Sequence, residues 1–353
     1  MSRCDEAYSA CMQCPRRCGA VRSAGKKGFC GETDEVRVAL ACLHFGEEPL
    51  VTVHGGSGTI FLTGCTLRCA FCQNYQISQD GMGRAVSSEE FTEMCLRLQA
   101  SGAENINLVT GSHCIPRLAE YIFRAQKSGC VIPFCWNSSA YESVEMLELL
   151  KPLVKIWLPD VKTLSAPLAK TLFAAEDYPS VAQNAVLWMI HNFPMRIVQE
   201  RAAGDYVSAD GNVFRAGGCK DKMTEGVIIR HLFLPGRFAE TAETLEWLKS
   251  YADGKACISL MNQYTPVPFA ESETQLRARG ESLSSIENRL VTREEDGDLQ
   301  DLIEAFDFDF LFYQELSDDT SWLPDFSRPQ PFSSSLAKTI WHWKDGWSRQ
   351  SAL

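Results

Sequence analysis

Cys65, Cys69 and Cys72 stand in the run Gly64-Cys65-Thr66-Leu67-Arg68-Cys69-Ala70-Phe71-Cys72-Gln73-Asn74-Tyr75, a C-x3-C-x2-C spacing directly after a short apolar segment. Three thiolates on one tight loop suit an iron–sulfur cluster. A cubane with four cysteine ligands is coordinatively closed and suited to passing electrons, whereas three ligands leave one iron open to a second molecule. The spacing therefore points to chemistry at the metal. A zinc knuckle is the competing reading, but structural zinc takes four protein ligands, and the loop offers no His, Asp or Glu to complete the set.

A second set lies near the start of the chain. Cys11, Cys14, Cys18 and Cys30 give C-x2-C-x3-C-x11-C, with Arg16, Arg17, Arg22, Lys26 and Lys27 crowding the loop. Four thiols at such spacing fit tetrahedral zinc or an auxiliary iron–sulfur cluster, and the basic residues would stabilise thiolates or an anionic centre. The spacing codes the metal's identity weakly, and unliganded thiols are the remaining alternative. Cys4, Cys42, Cys95, Cys130, Cys135, Cys219 and Cys257 have no comparable spacing and read as core or incidental residues.

The elements that must carry these loops follow from hydrophobic periodicity. Candidate strands are Thr59 to Thr63, Asn105 to Thr110, Ile132 to Trp136, Val154 to Leu158, Val227 to Phe233 and Ala256 to Met261, each short, apolar and bounded by Gly, Pro or polar residues. Helical patterns lie between them. Ser87 and Glu90 have capping-box spacing ahead of Phe91 to Ala100; Leu118, Ile122 and Ala125 share one face, as do Leu245, Leu248 and Ala252. Alternation of strands and helices implies right-handed parallel βαβ units, with functional residues at the C-terminal strand ends. Gln199 to Thr224 reads as a long loop, and Leu336, Ile340, Trp343 and Trp347 as one face of a terminal helix. The expected organisation is a cysteine-rich N-terminal extension over 1–50, an α/β core over 51–268 and an irregular C-terminal extension over 269–353 packed on the core.

Composition sets outer bounds. With 34 basic against 45 acidic residues the chain carries a net charge of −11, which argues against general nucleic-acid binding. Fifteen cysteines, with no export signal and no apolar run of membrane-spanning length, lead us to expect a cytoplasmic, reducing setting without membrane partners.

At the strand ends, Thr110-Gly111-Ser112-His113-Cys114-Ile115-Pro116 follows the second strand; Gly111 permits close backbone approach and Pro116 suits a helix's first turn. His113 is a candidate acid–base group, although a lone His is more often positional. Asn137 and Ser138 end the third strand. Asp160 and Lys162 end the fourth and, two apart, share a face toward the sheet's mouth. In the fifth, Arg230 and His231 form a charged pair inside an apolar run, costly unless both find partners. Arg230 is the better ligand candidate, since a guanidinium matches a carboxylate bidentately, and His231 then faces the other way. Gln263 and Tyr264 end the sixth.

The cysteine spacing, with Phe71 just before the third cysteine, resembles the radical S-adenosylmethionine superfamily. That resemblance implies an open partial (β/α)6 barrel and a 4Fe-4S cluster on Cys65, Cys69 and Cys72, whose open iron chelates S-adenosylmethionine. One electron from the reduced cluster then cleaves the cosubstrate to methionine and a 5'-deoxyadenosyl radical, which abstracts hydrogen from a substrate. It also implies cosubstrate contacts from Phe71, Thr110, Gly111, Asn137, Ser138, Asp160, Lys162 and Arg230. Many members carry Gly-Gly-Glu-Pro where this chain has Thr110 to Pro116, which is a departure. Cys-x2-Cys-Pro-Arg at the head, Gly-Cys-x3-Cys-x2-Cys-Gln-Asn, Asn105 to Thr110 and Arg230-His231-Leu232-x-Leu234-Pro235-Gly236 resemble the uncharacterised group related to pyruvate formate-lyase activating enzymes, over about residues 11 to 270. Trp322-Leu323-Pro324-Asp325-Phe326 looks like the same group. The resemblance implies an electron donor such as flavodoxin or ferredoxin and a glycyl-radical protein as one candidate substrate. The ferredoxin-type insert of several activases is missing. The competing functions are an iron–sulfur electron carrier and a degenerate structural metal protein without cosubstrate cleavage.

Overall fold

The computed structural model describes residues 3–201, 206–207, 213–214 and 219–348. Its frame is a mixed sheet, numbered here by its principal strands: β1 Arg37–His44, β2 Ser57–Leu62, β3 Ile106–Val109, β4 Phe134–Ser138, β5 Ile156–Pro159, β6 Cys219–Leu232, β7 Cys257–Met261, β8 Leu311–Tyr313 and β9 Ala337–His342. The spatial order is β8-β7-β6-β5-β4-β3-β2-β1-β9. Strands β2 to β8 pair parallel in chain order, which requires a crossover between each pair. Helices supply them, including α1 Ser88–Ala100, α2 Ile115–Lys127, α3 Ala166–Phe173, α4 Tyr178–Asn192 and α5 Phe238–Tyr251. The sheet is an open, partial barrel of α/β type. Each of the six strands read from the sequence is present.

The helices begin and bury as their sequences dictate. Ser87 caps α1, accepting from the Glu90 amide at 3.2 Å. The reciprocal half of the capping box is replaced, because the Glu90 carboxylate pairs with Arg84 and accepts from Trp341 Nε1 at 3.1 Å. Leu118, Ile122 and Ala125 on α2 are fully buried, as are Leu245 and Leu248 on α5 and Ala252 just after it.

Three parts differ from the sequence reading. Strand β1 pairs antiparallel with β2, so residues ahead of the core supply its first edge. The C-terminal stripe is no helix: β9 pairs antiparallel with β1 and folds back on Gly346–Trp347, with Gly346 at φ 70° in the turn. The outer edge of β1 offers unpaired backbone groups, and Thr339, Ile340 and Trp341 are of the β-branched and aromatic types that suit a strand filling it. The expected loop from Gln199 to Thr224 is framed by an antiparallel pair, Arg196–Arg201 against the start of β6, with Lys222 opposite Val198. Within that span, 202–205, 208–212 and 215–218 lie outside the described residues.

Candidate cluster and cosubstrate site

The cysteine loop leaves β2 through Thr63 and Gly64. Gly64 has φ 77°, and a Cβ there would lie 2.4 Å from Glu32 Cγ and 2.9 Å from the Cys30 carbonyl oxygen, so only glycine fits. Thr63 Oγ1 donates to Glu32 Oε1 at 2.6 Å, and Glu32 pairs with Arg37 at 3.3 Å. Within the loop the amides of Leu67 and Arg68 donate to Cys65 Sγ at 3.3 and 3.5 Å, a donor pair that suits a sulfur carrying negative charge. Gln79 Nε2 holds the Cys69 carbonyl at 2.9 Å, and Cys72 Sγ lies 3.3 Å from Ser78 Oγ. Phe71 packs edge-on against Phe173 and Tyr264, each at 6.0 Å.

All three cysteines open onto one cavity of about 720 Å³. Phe71, Thr110, Asn137, Ser138, Asp160, Lys162 and Arg230 line it as well, so most of the residues singled out from the sequence come together here. Gly111 and His113 are not among the lining residues. A Cβ on Gly111 would stand 2.6 Å from the Trp136 ring and 2.7 Å from Leu118, so packing demands that glycine. His113 is 2% exposed, its Nδ1 has no partner among the described residues, and burial together with Arg22 pushes its pKa down to about 3.

A charge network crosses the cavity floor. Asp160 accepts from Lys162 Nζ at 2.9 Å and from Arg230 Nε at 2.7 Å. Arg230 also donates to Asn137 Oδ1 at 2.5 Å and lies 3.7 Å from Glu47, which accepts from Asn107 Nδ2 at 2.5 Å. Burial opposes charge on Asp160, but Arg230 and Lys162 overcome it and hold the carboxyl below its usual range. Burial likewise opposes charge on Lys162 and Arg230, and their acidic neighbours raise both. Burial pushes the Glu47 carboxyl up, against Arg230. Tyr178 Oη donates to the Asp160 carbonyl at 2.7 Å and accepts from the Lys162 amide at 2.9 Å, fixing the strand end that presents both charges. His231 faces away, with Nδ1 2.6 Å from the Val161 carbonyl and Nε2 2.9 Å from Thr241.

Thr110, at the end of β3, has φ 63°, an uncommon conformation for a β-branched residue, and it lines the cavity. It occupies the place where the sequence departs from Gly-Gly-Glu-Pro. Several cavity residues carried no sequence signal of their own: His44 and Glu47 around the β1–β2 connection, and Asp319 and Phe332 from the tail, where Gln314 and Trp322 also line the cavity. Gln76, just past the cysteine loop, ties the tail in place; its side chain donates to Asp325 at 3.2 Å and accepts from the Phe326 amide at 2.7 Å.

Cys11, Cys14, Cys18 and Cys30 gather around Gly28 and Arg22. Among the described residues no three His, Cys, Asp or Glu side chains converge as they would on a single ion. A cluster makes a different demand, since each cysteine reaches its own iron, and the cavity wall shared by Cys65, Cys69 and Cys72, with the two amide bonds to Cys65 Sγ, fits that demand. No described helix is long and apolar enough to cross a membrane.

Comparison with known proteins agrees with this geometry. Residues 59–172 match the Radical SAM superfamily. An uncharacterised protein of Methanocaldococcus jannaschii, MJ0674, is 25% identical over 313 residues, covering 86% of this chain and 77% of its own. Among solved structures, Streptococcus suis SuiB bound to its precursor peptide SuiA is 12% identical with a TM-score of 0.45; the alignment covers 71% of this chain and 46% of SuiB, less than half its length. A domain of a pyruvate-formate lyase-activating enzyme from Bacteroides vulgatus is 10% identical, covers 57% of this chain and 91% of that one, and has a TM-score of 0.34. The family match spans the cysteine loop, β2 to β5 and the Asp160–Lys162 pair; over residues 59–172 the chain matches a radical SAM domain, a family that implies a 4Fe-4S cluster and S-adenosylmethionine.

Proposed function

We propose that this protein reductively cleaves S-adenosylmethionine and abstracts hydrogen from a substrate held in the remainder of the same cavity. The observation that carries the reading is the joining, in one cavity, of three loop cysteines with the Asp160–Lys162–Arg230 network. Bound cluster and cosubstrate would supply the radical chemistry. The chain's own part is to hold and orient. Cys65, Cys69 and Cys72 would take the cluster, Lys162 and Arg230 offer cations to the methionyl carboxylate, and Phe71 supports the adenine end. Asp160 keeps both cations in place, sharing Arg230 with Asn137 and Glu47.

The tail limits what enters. Trp322, Phe332 and Asp319 form part of the wall, and a cavity of about 720 Å³ that also takes the cosubstrate leaves room for a small molecule or the tip of a peptide loop. A glycyl-radical enzyme as substrate would present such a tip, and that is the activase version of the proposal. A flavodoxin or ferredoxin is the proposed electron donor. The test is formation of 5'-deoxyadenosine from S-adenosylmethionine and dithionite by the anaerobically reconstituted protein. Turnover in the parent and none in a Cys65, Cys69, Cys72 triple Ala variant is expected. A parent with a full cluster and no 5'-deoxyadenosine would instead support an electron carrier or a degenerate metal protein.

A further inference from the structure

Away from the cavity, one buried cation has no opposite charge beside it. Arg22 is 1% exposed, and among the described residues no carboxylate stands within ion-pair distance of its guanidinium. Its hydrogen bonds go to carbonyls and a sulfur: Nε to Thr33 O at 2.9 Å, Nη1 to His113 O at 2.6 Å and Nη1 to Cys11 Sγ at 3.6 Å. Its face lies over the Tyr8 ring at 4.7 Å. Burying an ion without a counter-charge costs several kcal/mol. Apart from the Tyr8 phenol, the neighbouring atoms able to become anions are sulfurs. A Cβ on Gly28 would stand 3.3 Å from Cys18 Sγ, 3.4 Å from Cys30 Sγ and 3.6 Å from Arg22 Cδ, so these groups surround one point that glycine leaves clear. Cys14 belongs to the same group, close enough to feel Cys11, Cys18 and Cys30 electrostatically.

A thiol is neutral and leaves Arg22 uncompensated, whereas a metal-bound thiolate does not. We propose that Cys11, Cys14, Cys18 and Cys30 hold a thiophilic metal centre, a zinc ion or an iron–sulfur cluster, and that its surplus negative charge is the partner of Arg22. Binding zinc would break the four S–H bonds, release the protons to solvent and transfer no electron. The four sulfurs do not converge on one point in this structure, so closing the centre, on a single zinc ion above all, requires exposed Cys18 and half-buried Cys14 to turn inward toward buried Cys11 and Cys30.

The head also backs directly onto the main cysteine loop. The Cys65 amide donates to the Cys30 carbonyl at 3.2 Å, and Arg16 Nε donates to the Thr66 carbonyl at 2.9 Å. A centre closed on Cys30 therefore steadies the loop that carries Cys65.

Metal analysis of the full-length protein tests this independently of the function proposed above. We expect zinc, or iron and sulfide in excess of one cluster, in anaerobically purified protein. A Cys14→Ser/Cys18→Ser variant should lose that excess and keep the iron of the main cluster; the element lost tells zinc from iron–sulfur. Iodoacetamide labelling of the unaltered protein needs no variant: exposed Cys18 should resist alkylation until a chelator is added. Arg22→Gln should weaken metal retention about 10- to 100-fold, as loss of a partner outside the ligand shell commonly does. No excess metal in the parent, full metal in the double variant, or immediate alkylation of Cys18 would overturn the site. Retention unchanged in Arg22→Gln would overturn the charge pairing.

Discussion

Asp160 is held below the usual carboxyl range in a cavity where burial opposes its charge, because Arg230 and Lys162 both contact it. The two cations are not equivalent. Removing Lys162 leaves Asp160 with Arg230, whereas removing Arg230 leaves Asp160 with Lys162 but takes away the cation beside buried Glu47. Lys162→Ala should therefore weaken S-adenosylmethionine binding by roughly 1.5 to 3 kcal/mol, about one to two decades, without loss of fold. Arg230→Ala should weaken binding similarly and also destabilise the protein by about 3–5 kcal/mol, the scale for breaking a buried pair. Titration with the cosubstrate and a urea melt separate the two effects; equal melts for both variants would contradict this division of roles. Asp160 and Lys162 were legible in the sequence because strand residues two apart share a face, and Arg230 because a charge within an apolar run needs a reason. Glu47 was not, since it reaches the cavity from a connection whose position depends on β1 pairing with β2.

Strand ends and turns carry the next level of constraint. Gly64 bridges β2 and the cysteine loop with φ 77° and has no room for a methyl group against the Cys30 carbonyl. Gly64→Ala should cost about 1–2 kcal/mol from the left-handed backbone alone, plus displacement of Glu32 and the Cys30 segment. We expect a lowered Tm together with reduced cluster content in reconstitution; an unchanged Tm would show that the turn is not held as described. The six parallel strands could be read locally, since each is a short apolar run with its own boundaries. β9 could not. Leu336, Ile340, Trp343 and Trp347 have helical spacing, yet the open edge of β1 supplies hydrogen bonds that local periodicity does not reveal. β8 was likewise missed, three residues whose strand state comes from pairing with β7.

Head, core and tail are joined by contacts that only the folded chain shows: Cys30 to Cys65, Gln76 to Asp325 and Phe326, and β1 to β9. Burial also gives the whole molecule an acid sensitivity. It pushes His113 to about 3 and His231 to about 4, both from 6.5. The unfolded chain binds these protons first as pH falls below about 6.5, so stability is full above that value and declines toward pH 4. Asp160, with its depressed carboxyl, adds to the loss only at lower pH. The Tm should fall between pH 7 and pH 5, and His231→Gln should show a shallower slope; a flat profile in the parent would contradict the buried neutral histidines. The central claim is that Cys65, Cys69 and Cys72 hold a cluster with a site open to S-adenosylmethionine beside Lys162 and Arg230. Electron paramagnetic resonance of the reduced, reconstituted protein with and without S-adenosylmethionine measures this directly. The account predicts a 4Fe-4S signal that changes on addition of the cosubstrate and is absent from the triple Ala variant; a full cluster signal indifferent to S-adenosylmethionine, or one that survives in the triple variant, would contradict it.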